Sequence, residues 1–549
     1  MDISRYKKPS GNGDWSEALD DFATTDTGPW QSPGSVVGPV KQDPPVVKDK
    51  ETEVAGVVET EAILVDEVPA EDPPISRLYP SYQKPQRPLR PVKKHHFVRG
   101  WVLKSVGLLL IAVLLTGGLL SWKAYGKLHR VFRGTSTIAT LSSDKIDPNL
   151  LGSEGDSRVN ILLLGIGGAG HEGPDLTDTI IIMSVDPVND SAVMLSVPRD
   201  LWVKMPTNFF GSHQKINAAY ESGKYSYLGK QVIANNNPGA VEAGFASVDT
   251  VIKQTMGVKI NYHVLVDFQA FRQAIDTVGG ITVNVPKALY DPTMAWENGW
   301  NPVLAPAGVQ TMDGKKALLY ARSRETSSDF ARTERQRQII LALKDKTLAL
   351  GTLSNPVKVD GLLNAFGDNV YSDLSTDGAE QLYNIVKGID NSQIRSIGLA
   401  DEPNNYVITD RVGNASVVRP KAGFEDYTDI QSYVRGQMPD GYIVKEKASL
   451  VVASGSADTA TTDAVAGLLK SYGYDVVSVV TDKHFAGTSR TSIVDLSHGK
   501  NPYTRHYLEQ HFNASTISKL PPGYQSLSAS FKPKFVIIVG QNETATDNN

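Results

Sequence analysis

Five arginines fall between positions 322 and 337, at Arg322, Arg324, Arg332, Arg335 and Arg337, interleaved with Glu325, Asp329 and Glu334. A guanidinium offers a planar fork of N–H donors that matches two oxygens at once, so several in one short stretch suit a doubly phosphorylated group. In an extended segment Arg322 and Arg324 share a face, because side chains alternate with a period of two. Arg332 and Arg335 share a face once a helix has begun, because residues three apart are neighbours on its surface. Leu318-Leu319-Tyr320 anchors the first pair to a core, whereas Arg337 reads as a solvated charge at a helix start.

A second charged pair lies upstream. Asp178 stands at the start of one apolar stretch and Arg199-Asp200 at the end of the next, with the turn-rich link Asp186-Pro187-Val188-Asn189-Asp190 between them. If the two strands pair antiparallel, Asp178 and Arg199 meet at one edge of the sheet, where loops build sites. Pro198 biases Val197 toward an extended conformation and so fixes the exit that carries Arg199.

The chain has 549 residues, a formal net charge of -5 and no cysteine. Disulfides, thiolate metal sites and a cysteine nucleophile are excluded. A generally basic surface is excluded too, so any anion chemistry is local. The arginine cluster is compact and stacking aromatics are sparse, which fits a small phosphorylated group and not a polynucleotide.

The elements that must position these residues are legible as apolar runs. Val159-Asn160-Ile161-Leu162-Leu163-Leu164-Gly165, Thr179 to Val185 and Ser191 to Val197 read as strands covered on both faces, with helices predicted over Ala240 to Met256, Phe268 to Val278, Asp313 to Ala321 and Thr333 to Leu348. The expected architecture is a three-layer α/β/α domain over 158–398. Residues 448–542 repeat a β-α-β succession and predict a smaller α/β domain, with 399–447 a linker or an extension of the first. The first strand ends in Gly165-Ile166-Gly167-Gly168-Ala169-Gly170, which matches a dinucleotide fingerprint in spacing. His171-Glu172-Gly173-Pro174-Asp175 follows where a helix should continue, so a strand-end turn is the better account.

Ahead of these domains, residues 105–122 form an uncharged run between Lys104 and Lys123. As a helix it rises about 27 Å, near the thickness of a hydrocarbon core, with Trp101 and Trp122 at its ends. About 100 residues precede it, which separates it from a cleaved signal peptide. The reading is a transmembrane anchor at 93–123 with a basic flank, a proline-rich disordered tail at 1–92 and a juxtamembrane spacer at 124–157.

Together these stretches resemble the LytR-CpsA-Psr family of cell-wall glycopolymer ligases. The resemblance rests on Leu162-Leu163-Leu164-Gly165, Thr177-Asp178-Thr179, Ser196-Val197-Pro198-Arg199-Asp200, Lys215-Ile216-Asn217-Ala218-Ala219-Tyr220, Val266-Asp267-Phe268, Asp276-Thr277-Val278-Gly279-Gly280 and the segment from Gly308 through Gln336. The C-terminal region is similar to the smaller domain often attached to such proteins. The family implies a polyprenyl-pyrophosphate-linked anionic glycopolymer as donor, peptidoglycan as acceptor and magnesium as cofactor, with transfer of the polymer through a phosphodiester link. With the anchor read above, that chemistry belongs outside, so a single-pass protein of the bacterial cell membrane is expected, N-terminus in the cytoplasm and catalytic domain outside.

Carried over, Arg199, Arg322 and Arg324 would hold the pyrophosphate, assisted by Arg332 or Arg335, with Lys215 and Gln336 also at the phosphates. Asp178 would coordinate magnesium or orient an arginine, and Asp178 or Asp200 would serve as base. Phe245, Val248, Phe268, Phe271 and Ile275 are the candidates to enclose the polyprenyl chain. Two positions depart from the family pattern: Gly167 stands where an aspartate is usual and Leu176 where an arginine is usual. Asp175, Glu172 or His171 would then compensate as ligands, the carboxylates suiting a hard cation better than imidazole does. The same clamp would also serve a pyrophosphatase that releases polymer to water, or a non-catalytic binding protein of the envelope.

Overall fold

In the computed structural model the described residues are 132–136 and 146–549, without 172, 230–236, 324–328, 350–366, 368, 401–404, 456–457, 483–488, 542 and 544–549. The anchor expected at 93–123 and Arg324 lie outside them. Among the described residues no helix is long and apolar enough to cross a membrane.

Seven strands build the main sheet: β1 (Phe132–Ser136), β2 (Val159–Ile166), β3 (Thr177–Asp186), β4 (Ser191–Ser196), β5 (Tyr262–Asp267), β6 (Val370–Leu374) and β7 (Ile394–Gly398). They lie in the order β1-β6-β5-β2-β3-β4-β7. The sheet is mixed. β2 pairs antiparallel with β3 and parallel with β5, and β3 pairs antiparallel with β4, beside which β7 runs parallel.

Alternation along the strands sends side chains into two separate cores. Leu162, Leu164, Ile180, Ile182, Val193 and Leu195 face one of them, with Tyr220 of α1 (Ala219–Leu228) and Phe245, Val248 and Ile252 of α2 (Pro238–Met256). Ile161, Ile181, Val185 and Met194 face the other, packed on Ile340 and Leu341 of a long helix, Asp329–Ala349, and Leu382 and Ile385 of Thr376–Val386. Complete burial of each such side chain contributes about 1.5–3 kcal/mol, which is why the continuous apolar runs settle between two helical layers. Helix α2 starts where Asn237 caps Gly239 N–H and Pro238 opens the first turn, and it stops at Gly257, whose φ of 67° admits glycine best.

Two further helices frame the site. α3 (Phe268–Thr277) follows β5 directly, with the Asp267 carboxylate accepting from Ala270 N–H. α4 (Gly314–Arg322) starts at the Asp313 cap and ends where Ser323 turns extended. The Asp329–Ala349 helix, α5, comes next. The stretch 399–447 contributes Leu399, Tyr427, Ile430, Val434 and Met438 to the first core, because its apolar residues find the same sheet face as α2. The C-terminal domain is a five-stranded mixed sheet in the order Asp475–Val480, Ser449–Ser454, Phe535–Val539, Ser492–Asp495, Thr516–Ile517.

Candidate active site

The antiparallel pairing of β3 and β4 brings the start of one strand beside the exit of the other. There Arg199 Nη1 donates to Asp178 Oδ1, and Arg199 Nε lies 3.7 Å from Asp200 Oδ2. Lys215, on the short strand His213–Lys215, donates to Asp200 Oδ1 at 2.8 Å. The side chains of Arg199 and Asp178 keep 31% and 41% of their exposure, so the pair is accessible to a ligand.

Asp178 and Arg199 stand at the junction of two cavities. One, of about 310 Å³, is largely apolar: Leu163, Ile181, Phe268, Phe271, Leu318 and Ile339 are among its walls. Its charged rim is Asp178, Arg199, Asp267, Arg322 and Arg332, with Gln336 beside them. The other, about 720 Å³, is open and polar, and Asp178, Arg199, Asp200, Gln214, Lys215 and Glu221 line it. An apolar chain and a diphosphate headgroup would each find matching surface where the two cavities meet.

The arginines are held in different ways. Arg322 is the last residue of α4 and not part of an extended run, so the period-of-two expectation for Arg322 and Arg324 does not describe Arg322. Its Nη1 donates to both oxygens of Glu297 at 3.1 and 3.0 Å, and its guanidinium lies over the Phe268 ring, 4.8 Å from the centroid. Arg332 and Arg335 are both in α5, yet only Arg332 lines the cavity. Arg335 is buried and donates to the carbonyls of Tyr320 and Ser323 at 2.8 and 2.5 Å, tying α5 to the end of α4. Burial holds its guanidinium below the usual arginine range. Gln336 donates to Thr179 Oγ1 at 3.4 Å, and Arg337 pairs with Glu334.

Of the apolar candidates, Phe268 and Phe271 line the cavity. Phe245 and Val248 lie in the core on the far face of the sheet, and Ile275 in a separate core beneath α3. Asp175 does not line either cavity. It is buried against Lys224, Nζ to Oδ1 2.7 Å, which occupies it as an ion pair. Glu172 lies outside the described residues. His171 packs edge-on against Phe268, centroids 5.1 Å apart. A Cβ on Gly167 would come within 2.9 Å of His171 Cβ, so an aspartate there would displace the imidazole. Gly168 has φ 77°, and among the described residues the next regular element is β3 and not a helix, contrary to a dinucleotide fold.

The sequence pattern assigns no role to three further acids at the site. Glu297 sits in the short helix Pro292–Asn298, 25 residues before its partner Arg322. Asp267 stands at a strand end, where its position alone assigns it no role; burial pushes its carboxyl up, against the backbone N–H groups of Ala270 and Gln269. Glu221, in the first turn of α1, is also pushed up, by burial first and then by the Asp175 carboxylate.

Among the described residues no group of three or more His, Asp or Glu side chains could by itself hold a metal ion. Magnesium needs less from the protein, since it commonly binds through one or two carboxylates plus substrate phosphates. Asp178, facing both cavities, fits that limited part.

The LytR_cpsA_psr family model matches residues 129–422, just over half of the chain. The polyisoprenyl-teichoic acid–peptidoglycan teichoic acid transferase TagU of Oceanobacillus iheyensis is 32% identical over 307 residues, spanning 55% of this chain and 85% of its own. TagV of Bacillus subtilis, with the same descriptive name, is 28% identical over 338 residues, spanning 60% and 80%. The crystal structure of B. subtilis TagV aligns at 26% identity over 51% of this chain and 97% of that one, with a TM-score of 0.38.

Proposed function

We propose that this chain, which belongs to the LytR-CpsA-Psr family, moves an anionic glycopolymer from a polyprenyl-pyrophosphate carrier to peptidoglycan. The observation that carries the reading is the junction itself: Asp178 and Arg199 border both an apolar cavity rimmed by Arg322 and Arg332 and an open polar cleft. The lipid enters the apolar cavity, the diphosphate meets the arginines, and the acceptor approaches through the cleft.

A hydroxyl oxygen of an acceptor sugar attacks the sugar-linked phosphorus. The bond from that phosphorus to the bridging oxygen breaks and polyprenyl phosphate leaves, so a phosphodiester joins polymer to wall. Arg199, Arg322 and Arg332 stabilise charge that grows on the phosphate oxygens, a preorganised electrostatic effect and not covalent catalysis. Magnesium, when bound by Asp178 and the substrate, would supply further charge neutralisation there. The acceptor's proton passes to a carboxylate of the cleft. Asp200 is held by Lys215, whereas burial pushes the Glu221 carboxyl up, so the pH profiles of Asp200→Asn and Glu221→Gln separate the two.

The test uses the full chain in membrane form with a lipid-pyrophosphoryl glycan, peptidoglycan and magnesium. A phosphodiester-linked wall product, lost when magnesium is withheld and reduced about tenfold or more by Arg322→Ala, is expected. Free polymer without wall product would replace this reading with a pyrophosphatase, and bound but unconverted donor would replace it with a carrier protein.

A further inference from the structure

The open cleft carries an aromatic cluster that the chemistry above leaves unused. The hairpin from Trp202–Lys204 to His213–Lys215 holds Phe209 and Phe210 at its tip, 43% and 39% exposed. Their rings meet edge to face with centroids 4.8 Å apart. Phe209 stacks on Tyr225 of α1 at 5.9 Å with 20° between the planes, and Phe210 meets Tyr225 edge-on at 6.2 Å.

This cluster is braced from beneath. Tyr225 Oη donates to Asp175 Oδ2 at 3.3 Å, and the other oxygen of Asp175 accepts from Lys224 in a pair whose side chains are each 2% exposed. Gln214 Nε2 donates to the Phe210 carbonyl at 2.6 Å. Exposed aromatic rings are thus held in place at the edge of a cleft, which removes much of the ordering cost a ligand would otherwise meet.

What surrounds them selects the ligand. Phe210 shares the cleft with Asp200, Gln214, Lys215 and Glu221, a mixture of donors and acceptors of both charges. A sugar ring has an apolar C–H face and a rim of hydroxyl and amide groups, and this combination of ring face and mixed polar groups matches it. A bilayer surface matches poorly, because the three carboxylates of the cleft, Asp178, Asp200 and Glu221, outnumber Arg199 and Lys215 and would face anionic headgroups. The cleft's volume of about 720 Å³ leaves room for a short oligosaccharide.

We propose that the cleft between Phe210 and the Asp178–Arg199 pair is the subsite for the acceptor glycan, with Phe210 stacking on one sugar ring and orienting the next toward the phosphorus. This assignment rests on the transfer reading, and it predicts a split in kinetics. Phe210→Ala raises the acceptor KM about tenfold, equivalent to about 1.4 kcal/mol, and leaves the donor KM unchanged. Phe210→Tyr restores the wild-type value.

Binding of a soluble N-acetylglucosamine–N-acetylmuramic acid tetrasaccharide to the full chain in detergent micelles, followed by calorimetry, tests the subsite independently of turnover. About tenfold weaker binding by Phe210→Ala, with Phe209→Ala in between, supports it. Unchanged tetrasaccharide affinity in both variants overturns it, and so does a loss of affinity for phosphatidylglycerol vesicles without a change in sugar binding. Wild-type chain that binds tetrasaccharide but forms no wall product would sink the transfer reading and leave the sugar site standing. Wild-type chain that makes product with an acceptor KM indifferent to Phe210 would do the reverse.

Discussion

Strand β3 carries an aspartate–arginine pair at each end, and the two pairs are built for opposite purposes. At its far end Asp186 meets Arg158, with side chains 3% and 4% exposed. Arg158 donates to Asp186 at 3.3 Å, to Ser184 Oγ at 2.7 Å, to Ser184 O at 3.0 Å and to Pro439 O at 3.2 Å. At the near end, about 26 Å away by strand rise, Asp178 meets Arg199, and both side chains stay about a third exposed or more. Arg199 Nε is buried without a hydrogen-bond partner. The first guanidinium has its donors spent on protein acceptors. The second keeps donor capacity and access, and that difference distinguishes a structural ion pair from one poised to bind.

The residue next to one acceptor of the far pair joins the two domains. Asp440, behind Pro439, accepts from Ser157 Oγ at 2.7 Å, Gly155 N–H at 3.0 Å and Tyr507 Oη at 3.0 Å. Arg158→Met should leave buried Asp186 without its countercharge, though still hydrogen-bonded by Val188 and Asn189, and destabilise the protein by about 3 kcal/mol in denaturant unfolding. The folded fraction should retain its turnover. A loss below about 1 kcal/mol, the level of an exposed pair, would mean that the saturated pair is not a structural one. Arg199→Ala should do the converse, lowering transfer about 10²–10³-fold with a change in stability of at most about 1 kcal/mol, as for exposed pairs. If it unfolds the protein as Arg158→Met does, the contrast between the two ends collapses.

The near pair was legible in the sequence because it follows from two strands and a short turn: Asp178 and Arg199 lie at the ends that antiparallel pairing must bring together. The continuous apolar runs mark the central strands and require a helical layer on each face. What escaped depends on partners remote in sequence. Arg332 and Arg335 have the same type and the same helix, and only the carbonyls of Tyr320 and Ser323 decide that Arg335 turns away from the cavity. Asp175 reads as an available ligand, but Lys224, 49 residues on, fills its valence. The extended reading of Arg322 failed because the Asp313 cap starts a helix that carries the arginine in its last turn. Phe245 is as apolar as Phe268, and only the sheet's two faces separate a core residue from a cavity wall.

His263 on β5 is a third ionic centre, closer in kind to the far pair. Its Nδ1 and Nε2 bond Asp373 and Asp249 at 2.6 and 2.8 Å, and its ring stacks on Phe245, centroids 4.4 Å apart. Burial alone would lower its pKa, but the hydrogen bonds and charges of the two aspartates outweigh that and push it up to about 9. Because the folded value is raised above the unfolded 6.5, the linked stability is fully present below pH 6.5 and is lost as pH rises toward 9. The loss should reach at most about 3 kcal/mol, and His263→Gln should flatten the pH dependence of Tm across that window. An unchanged slope would remove this centre from the structural class.

Arg322 is the case between the extremes, and its partner offers the smallest and most discriminating effect. Glu297 already occupies one edge of the Arg322 fork, with side chains 20% and 31% exposed. A diphosphate entering the cavity must compete with that carboxylate. If the pair belongs with Arg199 and Asp178, Glu297→Gln removes a competing negative charge and lowers the donor KM about two- to fivefold, the screened value of such a pair being about 0.5–1 kcal/mol. If Glu297 instead holds Arg322 over the Phe268 ring in its working position, the same variant raises the donor KM and lowers kcat together. Initial rates against donor concentration distinguish the two signs, because stacking on Phe268 keeps the guanidinium in place in the first case, whereas in the second it drifts once the two bonds to Glu297 are weakened.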